Sequence, residues 1–198
     1  TKFHSADTPT FRAPTAQFSS RTQNRPTTMV YYPNNKIPDL PLLPRMKVVE
    51  AARTLLGTPF LHLGRTKQSG VDCIGMLTCV SEILGLAEYM PGRLKTGVGE
   101  EGYTTKGYDS LPHPNSLVSM MIEPLSRIEN LEDRGIGDIE VYWIRHKRVP
   151  CHTAILTDLG HIHCVQGKKV AEQPRSGFWN RRLVAAFRYP GIEENTNG

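Results

Sequence analysis

The hydrophobic pattern of this chain changes its period near Gly137, and that change most constrains its fold. Before Gly137, apolar residues recur at helical spacing; after it, apolar and polar residues alternate, with short turns between the alternating segments. Strands joined by such short turns pair as antiparallel neighbours. The order of helices first and strands second predicts an α+β domain, with N-terminal helices packed on an antiparallel sheet.

Two of the predicted helices lie in the first half of the domain. The first begins after Pro44 and ends at Gly57, where Pro59 prevents it from resuming. Its apolar stripe is formed by Val48, Ala51, Ala52, Leu55 and Leu56. A further short apolar helix is predicted over 116–123.

The second helix carries a cysteine in its first turn. Asp72 is placed to cap it, Cys73 is its first residue and Gly85 ends it. A thiol at this position meets the free N–H groups and the positive end of the helix dipole, which favour the thiolate. The alternative interpretation of Cys73 is a small buried core residue.

The alternating segments predict strands over 139–144, 153–157, 161–165, 170–172 and 183–189. If the turn between the second and third strands centres on Asp158 and Leu159, His163 pairs opposite Ala154. Ala154 shares a face with His152, so the two histidines would be diagonal neighbours. A histidine that takes the thiol proton and a second polar group that orients it are what a cysteine nucleophile requires.

Zinc binding is an alternative use of the same segment. Five residues there have suitable ligand atoms: Cys151, His152, His161, His163 and Cys164. Neighbouring residues on a strand point to opposite faces, which separates each cysteine from the histidine next to it. We therefore expect neither a metal nor any other cofactor.

Composition favours a globular domain that neither binds nucleic acid nor inserts into a membrane. Residues 1–46 hold six Lys/Arg against two Asp, a formal +4, whereas the remaining 18 Lys/Arg and 17 Asp/Glu give +1. A nucleic-acid-binding domain would concentrate its basic residues on the folded face. No apolar run is long enough to cross a membrane, and no apolar segment follows Thr1, so we expect no signal peptide. The four scattered cysteines predict free thiols in a reducing compartment.

The chain divides into three parts. Residues 1–44 are rich in Thr, Pro, Ser, Asn and Gln and predict an extended arm ordered by neighbouring subunits. Residues 45–191 form the domain, and 192–198 a tail. Inside the domain, a Gly- and Tyr-containing loop over 86–115 is a candidate wall of a substrate groove. The basic run at 145–148 is typical of a solvated connection.

At five places the sequence resembles the NlpC family of cell-wall cysteine peptidases. Gly-Thr-Pro-Phe and Asp-Cys-Ile-Gly match the family's lead-in and nucleophile motifs, and three strand segments match its later ones. The matching segments are 57–60, 72–75, 137–139, 152–155 and 161–164. The resemblance extends over about residues 46–190.

This resemblance implies a papain-like fold and a thiol mechanism. Cys73 would be the nucleophile, His152 the general base and then acid, and His163 the residue that orients His152. Two residues depart from the family pattern, since Ile74 replaces a serine and Phe60 replaces a tyrosine whose hydroxyl lies near the site.

Three further residues are candidates for supporting the nucleophile or stabilising its oxyanion: Asp72, His62 and Phe60. Without the tyrosine hydroxyl, stabilisation of the oxyanion would be left to the backbone N–H of Cys73 and to His62, beside Phe60. Asp72 is interpreted as the helix cap rather than as a catalytic group.

The Ile74 form and the segment 178–191 look like the branch of the family found in phage tails and gene transfer agents. That branch implies a peptidase at a tail tip, hub or baseplate, made in the host cytoplasm and acting on peptidoglycan peptides during DNA delivery. The arm would then contact other tail proteins in the virion. The alternative is a structural tail component on an inactive peptidase scaffold.

Overall fold

A computed structural model describes residues 42–87, 116–122, 125–144 and 149–194. Three of the predictions fall wholly or largely on other residues: the arm up to residue 41, the loop over 88–115 and the basic run at 145–148.

Three of the described helices begin close to where the sequence predicts them: α1 (Arg45–Arg53), α2 (Cys73–Ile83) and α3 (Ser116–Ile122). A fourth, α4 (Gly177–Asn180), was not predicted. The first ends earlier than predicted, because after Arg53 the chain continues in tighter turns, with Leu55 N donating to Ala52 O at 3.0 Å. Leu55 stays buried, but Leu56 is 41% exposed, so its predicted place in the apolar stripe is wrong.

The main sheet has six strands in the described ranges: β3 (Ser126–Arg127), β4 (Ile139–Tyr142), β5 (His152–Leu156), β6 (His161–His163), β7 (Ala171–Gln173) and β8 (Leu183–Arg188). All neighbours pair antiparallel, in the spatial order β3-β8-β4-β5-β6-β7. The predicted α+β class is therefore confirmed. The segment predicted to be poor in strands also holds a two-residue pair, β1 (Arg65–Thr66) with β2 (Gly70–Val71).

The two faces of the sheet have different neighbours. One face packs on the apolar side of α1 and α2, where the core residues are at most 1% exposed: Val48, Met76, Leu77, Val80, Ile139, Val141, Ile155 and Ile162. The other face carries Tyr142 and Ala154, which pack with Trp179 of α4. Side chains alternate along a strand, so each strand contributes to both layers.

A buried carboxylate joins the helical layer to the sheet. Asp138 is fully buried and accepts hydrogen bonds from Arg188 Nε (2.8 Å) and Nη2 (3.1 Å), while Arg45 Nη1 lies 3.1 Å from it. Gly137 precedes it with φ 84°, and a Cβ there would lie 2.7 Å from Arg45 O. The Gly-Asp pair is therefore needed where α1 meets the start of β4.

The ends of the described domain pair with each other. Leu43 and Ile192, just outside the range 45–191, form a parallel bridge, and Ile192 is 4% exposed. No helix within the described ranges has both the length and the apolar character that a membrane span requires.

Candidate active site

Asp72 holds the start of α2 and the loop before it. One carboxylate oxygen accepts from Gly75 N at 2.7 Å, and also from Arg65 Nη1 at 2.9 Å. The other accepts from Leu63 N at 2.8 Å. The predicted cap is therefore confirmed. With three donors already on it, the buried carboxylate has a structural role.

Three glycines let the backbone of this loop touch the first turn of α2. A Cβ on Gly75 would lie 1.8 Å from Gly64 O, and a Cβ on Gly64 would lie 2.2 Å from Gly70 O. No side chain fits at these distances. The segment that includes His62 is consequently packed directly beside the turn that begins with Cys73.

Cys73 is the first residue of α2 and is 7% exposed. Its carbonyl oxygen accepts a hydrogen bond from Thr153 Oγ1 at 3.1 Å. Thr153 follows His152 in β5, so the strand that carries the predicted base is attached to the residue that carries the predicted nucleophile.

The four cysteines are free thiols, as predicted, and two of them are poor nucleophiles. Burial raises the pKa of Cys79 to about 11 and that of Cys164 to about 12. Their sulfurs bond the carbonyls of Arg65 (3.2 Å) and Val71 (3.3 Å). Both therefore stay protonated at neutral pH.

The two predicted histidines are in contact. β5 and β6 pair with His163 opposite Ala154, the register that the sequence predicts. His152 Nε2 lies 3.0 Å from His163 Nδ1, and each residue is 4% exposed. This contact occupies Nε2 of His152. The other ring nitrogen, Nδ1, is therefore the one that a proton donor could approach.

Two residues that the sequence analysis did not assign to the site complete its surroundings. The Trp179 ring centroid lies 5.7 Å from that of His152 and 4.9 Å from those of His161 and His163. His161 stacks against His163 at 4.8 Å. The spacing of two along β6 could have placed His161 on this face, whereas no sequence signal places Trp179 there.

This apolar cover keeps the histidines neutral. Burial lowers the pKa of His152 well below its ordinary value, that of His163 to about 4 and that of His161 to about 3. Neighbouring histidines lower the values for His152 and His161 further. At pH 7 each ring is therefore a neutral imidazole, with one protonated and one unprotonated nitrogen.

Phe60 and His62 lie in the segment before Asp72. The Phe60 side chain is half-buried against the core, and its backbone bridges to Val71. His62 is exposed, one residue before Leu63, which Asp72 holds. Their predicted roles around the oxyanion remain predictions.

Metal ligation has no support in the part of the chain that the structure describes. No group of three or more His, Cys, Asp or Glu residues there is arranged to hold a metal ion. Cys151, one of the candidate ligands, instead has its sulfur 3.2 Å from Ile144 N, which donates to it.

Comparisons with known proteins found similarity among solved structures. No family model and no curated protein matches the chain. The chain is similar to a Staphylococcus aureus Mu50 protein of the NLP/P60 family described as similar to lipoprotein, with 16% identity and TM-score 0.47 over 85% of this chain and 45% of that one. An NlpC/P60 family protein from Bacillus cereus ATCC 10987 gives 16% identity and TM-score 0.46 over 77% and 42%.

A third similar structure is the NlpC/p60 domain of the peptidoglycan hydrolase SagA. It shares 22% identity with this chain, at TM-score 0.40, over 72% of this chain and 97% of that domain. The matches span less than half the length of the Staphylococcus and Bacillus proteins. All three carry the name of the family that the motifs at 57–60, 72–75 and 152–155 resemble.

Proposed function

We propose that this chain is an NlpC-type cysteine peptidase that cleaves an amide bond in the stem peptides of peptidoglycan. The observation that carries the proposal is the 3.0 Å contact between His152 Nε2 and His163 Nδ1. The strand that holds His152 is hydrogen-bonded through Thr153 to the carbonyl of Cys73. The family resemblance of the motifs supplies the substrate class.

The reaction begins with attack of Cys73 Sγ on the carbonyl carbon of the scissile bond. The thiol proton passes to Nδ1 of His152, which is held neutral by burial. As the C–N bond breaks, His152 returns this proton to the leaving amine, and a thioester remains on Cys73. Water then adds to the thioester and gives a proton to His152, and the proton returns to sulfur as the acid leaves.

The other residues orient this exchange and stabilise its charge. His163 fixes the ring of His152 through the contact at Nε2. The oxyanion lies at the N-terminal end of α2, where the Cys73 N–H and the helix dipole favour negative charge. His62 is assigned as a second donor, because Phe60 has no hydroxyl to offer.

The finer setting that we propose is a phage tail or tail-like particle. The resemblance of segment 178–191 and of the Ile74 motif to the tail-associated branch supports it, as does the Thr- and Pro-rich composition of residues 1–44. In this setting the arm contacts other tail or baseplate proteins, and the domain opens the host cell wall during DNA delivery.

Deletion of residues 1–44 tests the role of the arm. Particles assembled with the shortened chain should not contain it; full incorporation of the shortened chain would contradict the role of the arm.

Peptidoglycan digestion tests the enzymatic part. The purified chain should release stem-peptide fragments that appear by mass spectrometry, and Cys73→Ala should release none. Cys79→Ala is the matched control, since it removes another thiol from the same helix and should retain activity. Equal release by the wild-type chain and Cys73→Ala would overturn the proposal. No release by the wild-type chain would favour the structural role on an inactive scaffold.

A further inference from the structure

One hydrogen bond joins the first turn of α2 to the start of β5. Thr153 Oγ1 lies 3.1 Å from the carbonyl oxygen of Cys73, across 80 positions of the chain. A carbonyl oxygen can only accept, so the hydroxyl of Thr153 is the donor and the direction of the bond is fixed. The residue beside the predicted base is thus bonded to the residue that carries the predicted nucleophile.

This bond is an addition to the helix and is not part of its own hydrogen-bond ladder. Cys73 is the first residue of α2, so its carbonyl also accepts from the backbone one turn further along, and an oxygen with two lone pairs accepts both bonds. Thr153 is fully buried, so water does not compete for its hydroxyl. Removal of the hydroxyl would leave α2 intact and the two elements without this connection.

Apolar packing alone does not fix the position of α2 on β5. Met76 and Val80 of the helix and Ile155 of the strand belong to one apolar cluster. Apolar contact has no preferred direction and tolerates small displacements, whereas a hydrogen bond weakens steeply with distance and angle. Thr153 is also β-branched, which restricts its χ1 and holds the hydroxyl in place. The bond therefore sets where the first turn of α2 lies along β5.

The position of Thr153 determines that of His152, the preceding residue. Their Cα atoms are about 3.8 Å apart, so a displacement of Thr153 relative to Cys73 moves His152 with it. On its other side, the ring of His152 is held by His163 Nδ1 at 3.0 Å. Transfer of the thiol proton requires sulfur and Nδ1 of His152 to be within hydrogen-bond reach. The two contacts together place the ring relative to the thiol.

We propose that Thr153 is a positioning residue of the peptidase, whose hydroxyl sets the distance between the Cys73 thiol and Nδ1 of His152. The inference rests on the proposed function, in which His152 takes the thiol proton. Thr153 acts through the backbone that it shares with His152. Because a misplacement of about 1 Å can cost on the order of a hundredfold in rate, and other contacts also hold α2, we expect a roughly tenfold effect from loss of the bond.

A matched pair of valine variants tests the role of the hydroxyl. Thr153→Val keeps the branched shape, suits a strand and removes the donor. Alkylation of Cys73 by iodoacetamide at pH 7, followed by peptide mass spectrometry, should slow roughly tenfold. Thr78→Val is the control: Thr78 Oγ1 also bonds a carbonyl of α2, that of Ile74 at 3.1 Å, and is almost fully buried, but this bond lies within the helix.

The control should leave the alkylation rate of Cys73 unchanged. An unchanged rate in Thr153→Val, or equal losses in the two variants, would overturn the inference.

A chain without the base separates positioning from a purely structural role. In the His152→Ala background, addition of Thr153→Val should not slow the alkylation of Cys73 further, because no ring remains to be positioned. A further loss as large as that in the wild-type background would show that the hydroxyl acts on the thiol or on the fold itself, and would overturn the inference.

Serine and alanine at the same position provide a second comparison, which also applies if Thr153→Val fails to fold. Thr153→Ser and Thr153→Ala differ by the hydroxyl alone. The serine variant should retain most of the wild-type alkylation rate at Cys73, and the alanine variant should react roughly tenfold more slowly than the serine variant. Equal rates in the two variants would overturn the inference.

Turnover of a soluble stem peptide extends the test to the working enzyme. Thr153→Val should lower kcat roughly tenfold with little change in KM, since the hydroxyl positions reacting groups and does not bind substrate. A change in KM alone would contradict the positioning role. The alkylation rates do not depend on turnover, so the predicted alkylation pattern in a chain without peptidase activity would refute only the proposed function.

Discussion

At the scale of single residues, the buried histidines make the stability of the fold sensitive to acid. Burial lowers the pKa of His163 to about 4 and that of His161 to about 3, and lowers that of His152 in the same direction. In the unfolded chain a histidine titrates near its ordinary pKa of roughly 6.5. Below that value the unfolded chain therefore binds protons that the folded chain does not.

The stability of the protein should consequently fall as the pH is lowered from 7 to 5. The sign follows from linkage: a group whose folded pKa is lowered stabilises the fold above its unfolded pKa and loses that contribution as the pH falls toward the folded value. Each such histidine adds a slope of up to about 1.4 kcal/mol per pH unit. Urea denaturation at several pH values measures it.

The variant His161→Gln isolates one of these contributions. It removes one titrating ring, so the slope between pH 7 and 5 should become shallower. Stability that does not change over this interval in the wild-type chain, or an unaltered slope in the variant, would contradict the burial of neutral histidines.

The pairing of His152 with His163 could be predicted from the sequence, because the length of the turn sets the register of two neighbouring strands. The contacts of His161 with Tyr142 and Gln173 could not be predicted. They depend on the side-by-side order of β4, β5, β6 and β7, which no local pattern encodes. The cover by Trp179 depends on how α4 returns over the sheet, which is a tertiary contact.

At the scale of elements, the start of α2 is held by one side chain. Asp72→Ala would remove the cap on Gly75 N, the acceptor for Leu63 N and the counter-charge of Arg65 together. We expect a loss of about 3 kcal/mol in the free energy of unfolding, measured by urea denaturation.

The matched control for Asp72 is a helix cap in an exposed position. Asn130 caps a short 3-10 helix (Leu131–Asp133) by accepting from Glu132 N at 3.2 Å, in an exposed position. Asn130→Ala should cost about 1 kcal/mol or less. Equal losses in the two variants would show that Asp72 acts only as a cap.

The sequence signal for α2 was strong because cap, apolar stripe and terminal glycine all agree. The packing of the preceding loop against α2 could not be predicted in the same way. Gly64 and Gly75 are needed because the backbone of the loop touches the first turn of the helix, and no local pattern marks such a contact. The sequence predicts an end of α1 that is too late, because Leu55 continues the helical spacing although the backbone after Arg53 forms tighter turns. A buried leucine therefore does not by itself extend a helix.

At the scale of the whole molecule, Asp138 connects α1, β4 and β8 in one ion-pair cluster. Asp138→Asn would leave Arg45 and Arg188 without their shared counter-charge, although Arg188 retains Glu194. Because the carboxylate is fully buried, we expect a loss of about 3–5 kcal/mol in the free energy of unfolding. Urea denaturation measures it.

An exposed pair provides the comparison. Lys47 and Glu50 lie 2.7 Å apart with both side chains more than half exposed, and Glu50→Gln should cost less than about 1 kcal/mol. A loss of that size for Asp138→Asn would contradict its role in joining the two layers.

The α+β class and the antiparallel sheet could be predicted because the change of period is a global property of the sequence. The strand order could not, since β8, the last strand, inserts between β3 and β4. That insertion places the segment after α4 inside the sheet, second from its β3 edge. It explains why a distant residue such as Trp179 covers the histidines.

The central claim is that His152 activates Cys73, and alkylation of the thiols measures this most directly. Iodoacetamide at pH 7, followed by peptide mass spectrometry, should modify Cys73 roughly tenfold faster than Cys79 or Cys164, whose pKa values of about 11 and about 12 keep them protonated. In His152→Ala, the rate at Cys73 should fall roughly tenfold while the rate at Cys79 stays the same. An unchanged rate at Cys73 in that variant would contradict the account.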